Sequence, residues 1–313
     1  MSAHDGSMKV IMAAMLGNLG IAGLKFGAAY TTGSVAMFSE AIHSLVDTGN
    51  QVLLAYGLKQ SRKPADDKHP YGYHRAIYFW GFIVALVLFF AGGIVSFTEG
   101  WEHFWHPTAV TNFYLNIGIL LGAVAFESYS FSVAYKEFKS DHPNVPVLTA
   151  LCASKNPAIF VVLVEDTVAL IGLMIALIGS VAGYLLGIPW LDGLTSMIIG
   201  VVLFVSAIFL ARETLGLVIG EGVDKETLAK IREIVMSVPG VVGINDLKTE
   251  YRGPEYIDIE LSLDFDNAQT AGFVEQTTTL VSKRLRAEIP DVKRVSVEVQ
   301  SKEDSIAEQA EAA

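Results

Sequence analysis

Ser39-Glu40-Ala41-Ile42-His43-Ser44-Leu45-Val46-Asp47 lies within a strongly apolar N-terminal half and continues to Asn50 and Gln51. On a helix, spacings of three and four residues stack Glu40, His43 and Asp47 on one face, turn over turn. Ionisable side chains are expensive inside a bilayer and mark functional sites there. A carboxylate, an imidazole and a second carboxylate on one stripe of a membrane helix therefore read as a cation site.

The surrounding composition supports a membrane setting. Of 313 residues, 52% are hydrophobic and 18% charged, against about a quarter charged in soluble domains. Residues 8–215 hold nearly all the long apolar runs. Six segments are long enough to cross a bilayer, which takes about 20 helical residues. They run roughly Met8–Tyr30, Val35–Leu58, Ala76–Thr98, Asn112–Phe138, Ala158–Leu186 and Leu191–Leu215. The first exceeds the roughly 7–15 residues of a signal-peptide core and is expected to be a retained span.

Basic residues set an expected orientation. Lys59, Arg62, Lys63, Lys68 and Arg75 follow the second span, and Lys136, Lys139 and Lys155 follow the fourth. The loops on the other side carry no Lys or Arg, and Trp101, Trp105 and Trp190 sit at that interface. Both termini are expected on the cytoplasmic side of a multi-pass protein, in a bacterial inner membrane or an organelle membrane. Lys25, inside the first span, is given no role and is expected to snorkel outward.

Residues 216–300 read as a separate soluble domain. Asp224–Ser237 has helical spacing, Val241–Tyr251 and Tyr256–Phe265 read as strands, Thr270–Glu288 as a helix, and Val295, Val297 and Val299 mark a last strand. The order α-β-β-α-β makes a small sheet with helices on one face. The fold class is thus a six-helix transmembrane bundle, all-α, followed by a small α+β domain. In the second strand Asp258, Glu260 and Asp264 alternate with apolar residues and, with Glu250, are expected on a solvated face. Residues 301–313 are rich in Glu and Ala, lack a core pattern, and are expected to be disordered. The net charge of −11, carried mostly by this C-terminal part, argues against nucleic-acid binding. The single cysteine, Cys152, excludes an internal disulfide.

A second ionisable pair, Glu165-Asp166, sits among Val and Leu in the fifth span. Unpaired, it would cost several kcal/mol; the simplest resolution is that it shares an interior with Glu40, His43 and Asp47, with a cation between. His nitrogen and carboxylate oxygen suit zinc. The bland alternative is a carboxyl–His network joining two helices without metal.

These residues resemble the cation diffusion facilitator family of six-span divalent-metal/proton antiporters. His-x-x-x-Asp on the second span is His43 and Asp47, and Asp166 matches the second member of the partner pair on the fifth. The likeness extends over residues 8 to about 300. It includes the Pro64-Ala65-Asp66-Asp67 loop with His69-Pro70-Tyr71-Gly72-Tyr73, the Trp190-Leu191-Asp192 entry to the sixth span, and the α-β-β-α-β tail. The stretches Ser39–Ser44 and Leu163–Thr167 resemble the subgroup typified by the animal mitochondrial zinc transporter.

The resemblance implies export of divalent metal, Zn²⁺ first, in exchange for protons by alternating access. It implies a homodimer formed through the C-terminal and transmembrane domains, in a lipid bilayer. Zn²⁺ is the cargo and no cofactor is called for. His43, Asp47 and Asp166 are ligands by resemblance. The usual partner position four before Asp166 is Val162, which has no donor atom. Glu165 is expected to supply the missing ligand, with Glu40 as rival. Asn50 and Gln51 are expected to line the pathway or hydrogen-bond to the ligands. Asp66, His69 and His74 form a candidate second metal site; the competing reading is a solvated turn.

Few imidazoles among many carboxylates leave Mn²⁺, Fe²⁺ or Co²⁺ open beside Zn²⁺. An intramembrane metalloenzyme is disfavoured because His-Glu-x-x-His is absent. A non-transporting metal receptor in the membrane is the rival from a different class.

Overall fold

The structure is a computed structural model. It describes residues 3–32, 35–107, 113–141, 143 and 145–312; the side chains at 3–5, 32, 35–40, 42–43, 141, 308–309 and 312 lie outside the description. The chain divides into two compact units, Met1–Leu215 and Gly216–Ala313.

The first unit is helical. In order come α1 (Ala3–Thr32), α2 (Val35–Ser61), α3 (Ala76–Val87), a π-helical segment (Leu88–Ile94) and α4 (Val95–Trp105). Then follow α5 (Phe113–Asp141), the short α6 (Val147–Ala153), α7 (Pro157–Leu186) and α8 (Trp190–Ile219). Among the described residues, five helical stretches are long and apolar enough to cross a membrane: Gly6–Thr31, Ala76–Trp105, Phe113–Ser140, Pro157–Leu186 and Trp190–Ile219. The 27-residue α2 reaches about 40 Å at 1.5 Å per residue, long enough for a further span, and it carries the polar stripe.

Local chemistry sets the helix ends. Pro157 occupies the first turn of α7, where its missing N–H has no helical partner to lose. Gly187, at φ 66°, closes the same helix with a left-handed cap. α1 packs on α2, α5 and α7; α2 packs on α3 and touches α7; α5 packs on α7. Every residue of α7 from Pro157 to Asp166 is buried. A helix apolar on all sides belongs in the middle of a bundle, and this one places Glu165 and Asp166 there.

The π-helical segment and α4 approach α8 through glycines spaced seven apart. A Cβ on Gly100 would lie 2.6 Å from the Met197 backbone nitrogen, and one on Gly200 would lie 2.6 Å from that of Phe97. Gly93 faces Phe204, and Gly193 faces Phe104, in the same manner. Small residues let membrane helices come this close.

The second unit contains α9 (Lys225–Met236), β1 (Val241–Gly253), β2 (Tyr256–Phe265), α10 (Ala271–Glu288), β3 (Val292–Val299) and α11 (Lys302–Ala312). The strand order is β1-β2-β3, with β1 and β2 antiparallel and β2 and β3 parallel. A parallel pair needs a crossover, and α10 supplies it. Ile257, Ile259, Leu261 and Leu263 from β2 pack with Ile231, Ile234 and Val235 of α9 and Val281 and Leu285 of α10.

Two expectations change here. Asp258 is not solvated: it is 3% exposed, and its Oδ2 accepts from Arg252 Nε at 2.6 Å and Arg294 Nη1 at 3.2 Å. β2 is the central strand, so arginines from both neighbouring strands cover that face. Residues 302–312, expected to be disordered, form α11. Ser301 caps it: the Asp304 N–H donates to Ser301 Oγ at 3.2 Å, and Ser301 Oγ donates to Asp304 Oδ2 at 2.7 Å. Ala and Glu are strong helix formers, so a capped run of them is helical without an apolar face.

Candidate cation site

The site is built around α7. Glu165 and Asp166 are adjacent, so their side chains leave the helix about 100° apart and turn to different neighbours. Glu165, 8% exposed, faces α2: its Oε1 accepts from Asn50 Nδ2 at 3.3 Å and its Oε2 from Gln51 Nε2 at 2.7 Å. Asp166, 2% exposed, faces α5: its Oδ2 accepts from Ser130 Oγ at 2.6 Å. Three helices thus meet at two carboxylates.

Asn50 and Gln51 are buried, and each spends its amide N–H on Glu165. Their carbonyl oxygens, Asn50 Oδ1 and Gln51 Oε1, are buried without a hydrogen-bond partner among the described residues. Buried acceptors without donors are costly and suit a cation. Val162 is fully buried in the apolar wall of α7. Asp47, one turn before Gln51 on α2, is half-buried. The side chains of Glu40 and His43 lie outside the described residues; their backbones belong to α2. Among the described residues, no group of three His, Cys, Asp or Glu side chains is drawn together tightly enough to hold a metal ion.

The second candidate site takes the form of a turn. Asp66 Oδ1 accepts from the backbone N–H of Lys68 at 3.0 Å and of His69 at 2.7 Å, and Oδ2 accepts from Tyr73 Oη at 2.8 Å. The Tyr73 hydroxyl, followed by the His69 backbone N–H, holds the Asp66 carboxyl below its ordinary value. The His69 ring lies 4.1 Å from that of Tyr73, and its Nδ1 3.4 Å from Asp66. Both Asp66 oxygens serve the turn, and Asp66, His69 and His74 do not assemble as a three-ligand group.

Glu127 and Ser130 belong to no motif in the sequence. Both are buried on α5, and Glu127 lies within electrostatic reach of Asp166, Asp47 and Lys25. The available signal was an isolated carboxylate in an apolar helix.

A bundle of membrane-length helices with buried carboxylates where three of them meet, followed by an α+β domain, defines a multi-pass membrane protein with an acidic interior. The chain belongs to the cation efflux family. Residues 11–217 match the family's transmembrane domain and residues 223–302 match the cytoplasmic domain of cation efflux proteins. It is similar to metal tolerance protein C4 of Arabidopsis thaliana, at 29% identity over 83% of this chain and 57% of the other. It is 32% identical to the mitochondrial proton-coupled zinc antiporter SLC30A9 of Mus musculus, over 83% of this chain and 46% of that one. The chain thus spans about half the length of these curated relatives. The manganese efflux system protein MneP of Bacillus subtilis is 24% identical over 94% of this chain and 95% of its own.

Proposed function

We propose that this chain is a secondary active transporter that exports divalent metal from the cytoplasm in exchange for protons, with Zn²⁺ as the leading cargo. The observation that carries the reading is the carboxylate pair Glu165-Asp166, buried on α7 and held by amides from α2 and a hydroxyl from α5. Buried intramembrane carboxylates of this kind mark ion pathways.

His43, Asp47 and Asp166 are the proposed core ligands, and Glu165 is proposed to stand in for the donor that Val162 lacks. Glu165 turns toward α2, the helix that bears His43 and Asp47, which favours it over Glu40. Asn50 and Gln51 orient Glu165, and their carbonyl oxygens are additional donors for an incoming cation. Metal binding requires ionised carboxylates and neutral imidazole, so loading displaces protons. A midplane site opened alternately to either side then couples metal to proton movement. The zinc antiporter relatives favour Zn²⁺. The oxygen-rich donor set and the manganese efflux relative favour Mn²⁺ as the second reading.

We further propose that the chain acts as a homodimer through its C-terminal domain and its transmembrane domain, with both termini cytoplasmic. The test is flux in proteoliposomes containing the purified chain. Zn²⁺ uptake should accelerate when the lumen is acidified and stop in Asp47→Ala and Asp166→Ala. Uptake unaffected by the pH gradient would remove proton exchange, and flux of Mn²⁺ without Zn²⁺ would select the second reading. Absence of flux for every divalent metal would favour a receptor.

A further inference from the structure

Glu127 is the buried carboxylate that this mechanism leaves unused. It lies on α5, 6% exposed, one turn before Ser130, whose hydroxyl holds Asp166. Residues three apart on a helix share a face, so Glu127 belongs to the side of α5 that meets the site. Unlike Glu165 and Asp166, Glu127 is held by no hydrogen bond among the described residues. Its electrostatic neighbours are Asp166 on α7, Asp47 on α2 and Lys25 on α1. The carbonyl oxygens of Asn50 and Gln51, without a hydrogen-bond partner among the described residues, add negative ends to the same interior.

Lys25 is half-buried on α1, the helix that packs on α5. The two helices run antiparallel along a seam of small residues. A Cβ on Gly17 would lie 3.7 Å from Ser130 Cβ, one on Gly20 would lie 2.8 Å from the Phe126 ring, and one on Gly122 would lie 3.0 Å from Leu24. By this register Lys25, next to Leu24, lies on the Gly122 side of the seam, and Glu127, next to Phe126, lies on the Gly20 side. An ammonium in a span is expensive unless a carboxylate offsets it, and the Lys25 charge bears on the buried Glu127.

We propose that Glu127 is a cation-positioning carboxylate of the transport pathway, and that the Lys25 ammonium is a built-in countercharge which the metal must displace from it. Without metal, Lys25 balances part of the interior negative charge. An arriving dication takes over that role beside Asp166 and pushes the ammonium aside; when the site opens to release, Lys25 returns and lowers the affinity. The proposal rests on the transport reading above, and it assigns roles to two residues that reading does not employ.

The two residues should shift metal affinity in opposite directions, which a merely structural role would not do. The full chain is purified, and its Zn²⁺ affinity is measured by competition with a chromophoric chelator, beside flux in liposomes. Glu127→Gln should weaken Zn²⁺ binding about tenfold or more, the scale seen for residues that support metal ligands, and Glu127→Asp should restore part of it. Lys25→Met should tighten binding about threefold or more, since it removes a repelling charge, and should slow turnover. In the double variant the effect of Lys25→Met should shrink, because its main partner is gone. Monodisperse, folded Glu127→Gln with affinity within twofold of the parent overturns the proposal, as do shifts of the same sign in both single variants. If Glu127→Gln does not fold, the sign of the Lys25→Met shift decides. Failure of the parent chain itself to bind Zn²⁺ or Mn²⁺ would instead sink the transport reading, and this proposal with it.

Discussion

Gln51 Nε2 donates to Glu165 Oε2 across 2.7 Å, tying α2 to α7 inside the membrane unit. Asn50 holds the other carboxylate oxygen from 3.3 Å. Replacing Gln51 by Leu removes the shorter bond and leaves a buried carboxylate half-satisfied. Hydrogen bonds to charged groups are worth about 1.5–3 kcal/mol. Gln51→Leu should therefore lower the unfolding temperature in detergent and cut metal flux about tenfold. Gln51→Glu should be worse, because it sets a second carboxylate against the first. Unchanged flux in a folded Gln51→Leu protein would deny Glu165 any dependence on this bond.

Ser130→Ala should act on metal rather than on the fold. Ser130 donates to Asp166 from a buried position at 2.6 Å, and alanine keeps the volume close while deleting the donor. Groups that orient a metal ligand typically contribute about 10–100-fold in affinity. Ser130→Ala should raise the Zn²⁺ dissociation constant about tenfold, and Ser130→Thr should restore it. Chelator competition on the purified chain measures both.

The architecture was largely legible in the residues and the site was half legible, for a physical reason. Spans and strands are periodic: apolar runs of 20 or more residues and the alternation Ile257, Ile259, Leu261, Leu263 are local signals. Glu165 and Asp166 were conspicuous because carboxylates are rare among Val and Leu. Glu127 and Ser130 were not, because their meaning depends on a neighbour 36 to 39 positions away in chain order, which periodicity does not encode. Asp258 misled for a similar reason. Its spacing placed it on the polar face of β2, but only pairing with both β1 and β3 reveals that arginines close over that face. The tail misled differently: no apolar pattern was present, yet the cap between Ser301 and Asp304 orders α11 locally.

The glycine seam between α4 and α8 predicts a position-specific pattern. A methyl group on Gly100 would fall 2.6 Å from backbone that cannot yield, and overpacking of this kind costs about 1–3 kcal/mol. Gly100→Ala and Gly200→Ala should lower the unfolding temperature. Gly118→Ala on α5, where nothing lies within 4 Å of the new methyl, should be neutral or stabilising by up to about 1 kcal/mol from helix propensity. Equal effects at all three sites would mean the helices are not in close contact.

Asp224 caps α9, accepting from the backbone N–H groups of Glu226 and Thr227, both at 2.9 Å. These bonds, that of Thr227 foremost, hold its carboxyl below the ordinary value of 3.8. The folded form therefore favours the ionised group more than the unfolded form does. The resulting stability is present above the unfolded value and is lost as pH falls through the lowered folded one. Asp224→Ala should cost about 1 kcal/mol near neutral pH. Asp224→Asn keeps a capping oxygen but does not titrate. The parent should thus lose stability relative to Asp224→Asn as pH drops below about 4, read from unfolding of the C-terminal unit in the full chain.

Asp258 offers the clearest energetic test in the C-terminal unit. One of its carboxylate oxygens receives both arginines, at 2.6 and 3.2 Å. Its other oxygen, Oδ1, is buried without a hydrogen-bond partner among the described residues. Removing both cations, Arg252→Met with Arg294→Met, would strand a buried charge, and breaking such a pair costs about 3–5 kcal/mol. Adding Asp258→Leu to that double variant should recover most of the loss, because three apolar side chains then fill the face of a sheet whose central strand already packs Ile, Leu and Phe on the other. Denaturant unfolding of the three variants and the parent closes the cycle. If the triple variant is no more stable than the double, the arginines act through packing of their aliphatic stems rather than through the carboxylate.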